Sequence, residues 1–392
     1  MSPISPTAPR RARRRLTAAA LTLPLLVPGL LAVGAPTALA APGSGPAIAV
    51  SLGDSYISGE GGRWAGNSDT SSGSRSGTDR AWNGSGYTPA KVYGTTYQSG
   101  CDRSDSAEVL SAFGSATAVN LACSGATTAN VFRAGSGGQS FKGEAPQADQ
   151  LATLASQRRV GLIALSIGGN DLGFADAIAT CVKDYEIWYS YCHDDQQAAI
   201  DAKIDSAMAD VGRSIDEIRA VMTADGYADA DYRIVLQSYP SPIPRSSEAR
   251  YGESGWARTS TGGCPFWDGD LDWARDGLVP QLAQRLAQVA ADRRVQFLDL
   301  QNFLQGHEVC ATAARLATDT KPVTAATGEW ARFLTTGATQ GTMQESFHPN
   351  YYGELGLGRC LNLVSAQPAG RNFACRSTAG QDASGVSLAP LP

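Results

Sequence analysis

Four short stretches of this chain carry side chains that together can transfer an acyl group. Gly53-Asp54-Ser55 offers a hydroxyl, and Phe347-His348-Pro349-Asn350 offers an imidazole. Between them, Cys123-Ser124-Gly125 and Gly168-Gly169-Asn170-Asp171 offer backbone N–H groups and a side-chain amide. Ester hydrolysis needs these parts: an activated hydroxyl, a base to take its proton, and donors aimed at the developing oxyanion. Ser55 is the candidate nucleophile. The Ser55 N–H, the Gly125 N–H and the Asn170 amide are candidate oxyanion donors. Only His193, His307 and His348 can supply the base. His348, at a loop-to-helix junction, is preferred. His307 is the rival, read as structural or rim-lining, and His193 is read as a surface residue. Asp54 and Asp171 are read as carboxylates that hold their own turns through backbone hydrogen bonds.

Each stretch is placed by the element before it. Residues 47–52 form a short apolar run between Pro46 and Gly53, which reads as a buried strand. Residues 116–122 read as a second strand, and residues 160–167 as a central parallel one. All three end where a site stretch begins, and in open α/β sheets ligands gather at the carboxyl ends of strands. Further strands are expected at 232–238 and 295–300. Helices are expected at 104–113, with Ser104 or Ser106 as cap, at 146–155, and at 196–224 as one continuous helix. Two more are expected at 271–291 and 351–364. Residues 311–342 read as an insertion covering the site. The alternation of strand and helix predicts an α/β fold with a mostly parallel sheet.

The first forty residues describe a secretory signal peptide. Arg10, Arg11 and Arg13 to Arg15 lead an apolar run broken by Pro24 and Pro28, and Ala38-Leu39-Ala40 is a cleavage signal. Sec and twin-arginine export both stay open. Loss of five arginines and no acids takes the net charge from −5 to −10. That balance disfavours nucleic acid and anionic membrane as partners and favours a soluble, secreted, extracellular protein without a stable membrane anchor. A monomer is expected. The eight cysteines all lie beyond residue 40, and their even number in an exported chain reads as disulfides. Spacing leaves the connectivity open, sequential pairing being the simplest. Asp268, Asp270 and Asp272 lack the glycine and distant Glu of a calcium loop, so neither a metal nor a cofactor is expected. The aromatics Trp256, Phe266, Trp267 and Trp273 either line an acyl groove or pack a loop on itself. Domain boundaries are placed at 1–40 (signal peptide), 41–375 (catalytic domain) and 376–392 (disordered Gly/Ser/Ala/Pro tail).

Taken in order, Gly53-Asp54-Ser55, Gly125, Asn170 with Asp171, and His348 resemble the four blocks of the SGNH (GDSL) hydrolases, over residues 47 to about 364. More narrowly, Ala122-Cys123-Ser124-Gly125-Ala126 and Gly306-His307-Glu308-Val309-Cys310 resemble secreted bacterial esterases and lipases of that family. The resemblance implies a flavodoxin-like three-layer sandwich with a mostly parallel sheet, disulfides and long loop insertions. It implies Ser55 as nucleophile, His348 as base and an oxyanion hole from Ser55, Gly125 and Asn170. It also implies the bridges Cys101–Cys123, Cys181–Cys192 and Cys264–Cys310, leaving Cys360 to Cys375. One position departs from the pattern. Many members carry Asp three residues before the histidine, where this chain has Glu345. Some relatives orient the imidazole with a main-chain carbonyl two residues before it, here that of Ser346. A Ser55–His348 dyad held by that carbonyl is therefore expected over a triad with Glu345. The function expected is a secreted serine esterase or lipase acting on carboxylic esters, with lipid degradation as its setting. The alternatives are a carbohydrate O-deacetylase of the same family and a non-catalytic binding protein on the same fold.

Overall fold

The computed structural model describes residues 42–73, 77–335 and 340–391. The signal-peptide expectation lies outside these residues. Seven strands form one sheet in the order β2-β1-β3-β4-β5-β6-β7. They are β1 (Ser44–Gly53), β2 (Ala118–Asn120), β3 (Arg158–Ser166), β4 (Arg233–Gln237), β5 (Gln296–Asp299), β6 (Phe373–Arg376) and β7 (Ser387–Pro390). Neighbours run parallel except β6 and β7, which are antiparallel. The chain leaves β1 to one side for β2, then crosses back to the other side for β3. Strand order therefore reverses at β1, and the crevice at its carboxyl end is the natural place for a ligand.

Alternation along β1 explains the layers. Ile48, Val50 and Leu52 join one buried cluster with Leu151, Val211, Ile215 and Leu286. These come from the helices Gln147–Gln157, Ile204–Ala224 and Val279–Arg293. Ala49, on the opposite face, joins Val109, Leu357 and Leu361 from the helices Glu108–Phe113 and Tyr351–Ser365. The three-layer α/β sandwich follows from covering both faces of a parallel sheet.

Several boundaries differ from the sequence reading. The helix expected at 196–224 is two, His193–Asp201 and Ile204–Ala224. The helix expected at 271–291 is an α-turn, a π-turn at Trp273–Leu278 and the helix Val279–Arg293. The helix Glu108–Phe113 starts after Ala107 and takes no side-chain cap from Ser104 or Ser106. The disordered tail expected at 376–392 is corrected. Residues 387–390 pair with Phe373–Arg376 at the edge of the sheet, and Val386 is buried. The composition is that of a linker, but the Cys360–Cys375 bridge fixes where the segment starts, and the edge of β6 satisfies its backbone. All four cysteine pairs are formed as expected: Cys101–Cys123, Cys181–Cys192, Cys264–Cys310 and Cys360–Cys375.

Candidate active site

Gly53 closes β1 in a conformation that only glycine holds comfortably, at φ 137°. A Cβ there would lie 1.8 Å from the Ser166 carbonyl oxygen of β3. Gln147 locks this residue from the helix beneath, accepting from its N–H at 2.7 Å and donating to its carbonyl at 2.8 Å. The chain then turns into a single helical turn, Ser55–Ser58, capped by Asp54 through the Tyr56 N–H. Asp54 also accepts from the Tyr239 hydroxyl. Burial pushes its carboxyl up to about 7. Asp171 accepts from the Thr128 N–H and hydroxyl and so ties the Asn170 turn to the loop after β2. Both carboxylates hold turns and neither contacts the imidazole of His348.

The turn presents Ser55 to His348. The Ser55 Oγ to His348 Nε2 distance is 2.7 Å. His348 Nδ1 lies 3.2 Å from the Ser346 carbonyl oxygen. A carbonyl only accepts, so Nδ1 carries the hydrogen and Nε2 is left to accept from the serine. Loss of water at the buried site pushes the imidazole down to about 4. Phe347, immediately before it, sits in the left-handed region at φ 64°, unusual for a non-glycine residue. Its carbonyl accepts from the Tyr56 hydroxyl at 2.9 Å, and its ring packs edge-on against Phe266 at 5.5 Å. The serine turn and the histidine loop are thereby joined one residue away from each partner.

Glu345 faces elsewhere. Its carboxylate accepts from the Trp64 indole N–H at 3.0 Å, the Tyr93 hydroxyl at 3.0 Å and the Thr342 N–H at 3.2 Å. Arg63 stands 3.8 Å away. These contacts pin the histidine loop to the long segment after β1, where Trp64 also accepts the Tyr351 N–H at its carbonyl.

The donors converge from three strand ends. Among the described residues, the N–H groups of Ser55 and Gly125 have no acceptor. Gly125 adopts φ 82°. Its loop is tied by the Cys101–Cys123 bridge, by Ser124 N–H to the Cys101 carbonyl at 3.1 Å, and by Lys142 Nζ to the Ser124 carbonyl at 2.7 Å. The Asn170 amide donates one hydrogen to the Ala126 carbonyl at 2.9 Å, leaving its second for a ligand. Ser55, Gly125, Asn170 and His348 line one groove of about 570 Å³. Its apolar lining is the helix Phe174–Lys183, through Phe174, Ile178, Ala179 and Val182, together with Leu334. The sequence reading missed this helix, because its apolar positions interleave with Asp176, Thr180 and Lys183.

Other expectations sort themselves by position. His307 is buried, stacked on Trp330 at 4.1 Å, and bonded to the Gly328 carbonyl, away from the groove. His193 is not free at the surface. It is bonded to the buried Asp270 at 2.8 Å. Asp268 pairs with Arg258 and Asp272 with Ser246, so the three aspartates face three different partners. Phe266 and Trp273 line a smaller apolar cavity that shares Tyr56, Ile178 and Phe347 with the groove, whereas Trp256 and Trp267 line a separate surface depression. Of the residues given no role from sequence, Glu60 and Gln344 also line the groove. Only their nearness to the two outer blocks could have flagged them.

A lipase from Streptomyces rimosus is 29% identical over 318 residues, spanning 80% of this chain and 91% of its own. Lipase 1 of Streptomyces coelicolor is 29% identical over 290 residues, spanning 73% and 82%. The solved structure of an extracellular lipase from Streptomyces rimosus aligns with a TM-score of 0.49 at 22% identity, covering 82% of this chain and all of that one. The model of the GDSL-like lipase/acylhydrolase family matches residues 51–354, most of the chain. The chain belongs to that family, and it is a carboxylic ester hydrolase.

Proposed function

We propose that the protein is an exported serine esterase that cleaves lipid esters through an acyl-enzyme on Ser55. The observation that carries this is the 2.7 Å approach of Ser55 Oγ to His348 Nε2, beside two N–H groups with no acceptor among the described residues. His348 takes the serine proton as Oγ attacks the ester carbonyl. The resulting oxyanion is met by the Ser55 and Gly125 N–H groups and the second hydrogen of the Asn170 amide. Collapse of that intermediate breaks the bond to the alcohol oxygen, which takes the proton from His348 Nε2. Water, deprotonated by the same nitrogen, then attacks the acyl-enzyme and releases the acid. The Ser346 carbonyl keeps the ring in its tautomer throughout. The apolar wall formed by Phe174, Ile178 and Val182 suits an alkyl chain better than an acetyl group on a sugar. The relatives named lipases support the same reading, and the arginine-led, proline-broken start of the chain supports export. No described helix is long and apolar enough to cross a membrane.

The test is labelling with a fluorophosphonate, followed by peptide mapping. The adduct should fall on Ser55, and Ser55→Ala should abolish both labelling and turnover of p-nitrophenyl octanoate while the fold is kept. An adduct on another serine refutes the assignment.

A further inference from the structure

Lys142 has no part in the reaction above, yet its ammonium sits on the peptide that carries one of the oxyanion donors. Nζ donates to the Ser124 carbonyl at 2.7 Å and to the Gly100 carbonyl at 2.6 Å. These carbonyls adjoin the two ends of the Cys101–Cys123 bridge, one on each segment that the bridge joins. Among the described residues, no carboxylate pairs with Nζ. The backbone beneath the lysine is not one that a lysine favours. Phe141 and Glu144 close a two-residue turn through reciprocal hydrogen bonds at 3.0 and 2.9 Å, with Lys142 at φ 49° and Gly143 at φ 82°. A turn with positive φ at both central residues favours Asn or Gly there, so a lysine in it is strained. The turn sets the ammonium against the Gly125 loop. A Cβ added to Gly125 would meet the Phe141 ring at 3.5 Å and Lys142 Nζ at 3.8 Å.

The Ser124 carbonyl and the Gly125 N–H belong to one planar peptide unit. A cation on the carbonyl oxygen draws electron density along the C–N bond and makes the N–H a stronger donor, as hydrogen bonds in series strengthen one another. It also fixes the plane of the unit, and with it the direction in which the N–H points. Gly125 has no side chain of its own to hold that plane. Charge collects on the ester oxygen only as Ser55 attacks, so a stronger and better-aimed donor acts on the transition state more than on the bound ester. Resting on the oxyanion hole proposed above, we infer that Lys142 is a positioning residue of the reaction: through the Ser124 carbonyl it aims and polarises the Gly125 N–H that meets the oxyanion. It touches neither the substrate nor the reacting atoms.

The test exchanges the ammonium for a methyl group of the same reach. Among the described residues every cysteine is bridged, so Lys142→Cys offers one free thiol. Alkylation with bromoethylamine rebuilds the lysine length and charge, and alkylation with propyl bromide rebuilds the length alone. The readouts are kcat and KM for p-nitrophenyl octanoate and the inhibition constant of octyl trifluoromethyl ketone. That ketone bonds its carbonyl carbon to Ser55 Oγ and leaves an oxyanion in the hole. The propylated enzyme should lose about ten- to hundredfold in kcat, the worth of one hydrogen bond to a charged group, with KM within about threefold. The ketone should bind more weakly by a similar factor, and the aminoethylated enzyme should recover most of both. Equal kcat and equal inhibition for the two alkylated enzymes overturn the inference, and so does a loss confined to KM. Should the new thiol disturb the native bridges, Lys142→Met is compared with wild type by the same readouts, and a kcat within about threefold overturns the inference. Asn170→Ala separates this failure from that of the oxyanion hole itself. If Asn170→Ala weakens the ketone and propylation does not, Lys142 alone is refuted; if neither weakens it, the oxyanion hole is refuted as well.

Discussion

Replacing Glu345 by Gln separates a dyad from a triad. In a serine protease, neutralising the triad acid leaves the geometry and lowers kcat by about 10⁴, or roughly 5.5 kcal/mol. Here the carboxylate reaches Trp64, Tyr93 and Thr342, with Arg63 at 3.8 Å, while the Ser346 carbonyl faces His348 Nδ1. The amide of Glu345→Gln keeps one acceptor oxygen for the indole and the Thr342 N–H, and its NH₂ can donate to the Tyr93 hydroxyl. What disappears is the negative charge. Hydrogen bonds to a charged group are worth about 1.5–3 kcal/mol each, against about 0.5–1.5 for neutral ones. Weakening of two or three of them therefore costs about 2–4 kcal/mol of stability. Arg63 is not orphaned, since Asp79 holds it through both oxygens.

The expected result is thus a folded enzyme with a lowered denaturation midpoint and a kcat within about tenfold of wild type, or ~1.4 kcal/mol. The assay is steady-state hydrolysis of p-nitrophenyl octanoate, beside urea unfolding followed by tryptophan fluorescence. A thousandfold loss of kcat with the unfolding curve unmoved would refute the reasoning, because it would place the carboxylate on the imidazole during turnover.

Three further outcomes are expected. On the proposed mechanism His348 acts when neutral, and burial holds it near 4 rather than 6.5, so kcat/KM should persist as pH falls through 6 and drop only around 4; an acid limb centred at 6.5 would contradict its desolvation. The buried carboxyls Glu108, pushed up to about 8, and Glu354, pushed well up by burial and by Glu108, hold their protons in the folded state more tightly than in the unfolded one. Their stabilisation is full below the ordinary carboxylate value and is lost as pH rises through about 8. Urea midpoints should therefore fall between pH 5 and 9, and Glu354→Gln should flatten that fall. Removing the Cys101–Cys123 bridge, which closes a 22-residue separation, by a double change to Ala should cost about 3 kcal/mol by chain entropy. It should also lower kcat at least tenfold, since the Gly125 N–H loses its anchor; a stability loss with kcat unchanged would show that the bridge does not position the donor.

Legibility in the sequence tracked how local each cause is. Strands β1, β3, β4 and β5 are apolar runs ended by a turn, so their existence and order were readable to within a few residues. Ser55, Gly125, Asn170 and His348 each follow a strand or begin a helix, and turn chemistry made them visible. The separation of the 196–224 helix at 202–203 was not readable, since the apolar period carries straight through Ile200 and Ile204. Strands β6 and β7 were missed because their residues become strand only by pairing with β5 and with each other. Tertiary pairing outweighs a linker-like composition. Glu60 lies within the first motif, yet sequence gave it no role. It reaches the groove because the fold brings it beside a histidine 288 positions later, and nothing local in the chain encodes that.

The division of labour in the site follows from the same distinction. The sheet fixes Ser55, Gly125 and Asn170, because each hangs from the end of a parallel strand whose neighbours are in register. His348 has no strand beneath it. It is held by loops that carry a group of buried polar residues. Arg63, Asn67, Glu329, Arg332, Glu345 and Asn350 are all nearly or fully buried. Asn350 bonds the Glu329 carbonyl at 2.7 Å, and Asn67 bonds the Glu329 carboxylate at 2.6 Å and the Ala331 carbonyl at 2.8 Å. Apolar packing alone tolerates small shifts, whereas hydrogen bonds fail over fractions of an ångström. On the proposed mechanism, an imidazole that meets a serine at 2.7 Å without a strand to carry it rests on a polar network rather than an oily one. On the proposed reading, Glu345 anchors this network rather than the imidazole, and the Ser346 carbonyl orients the ring.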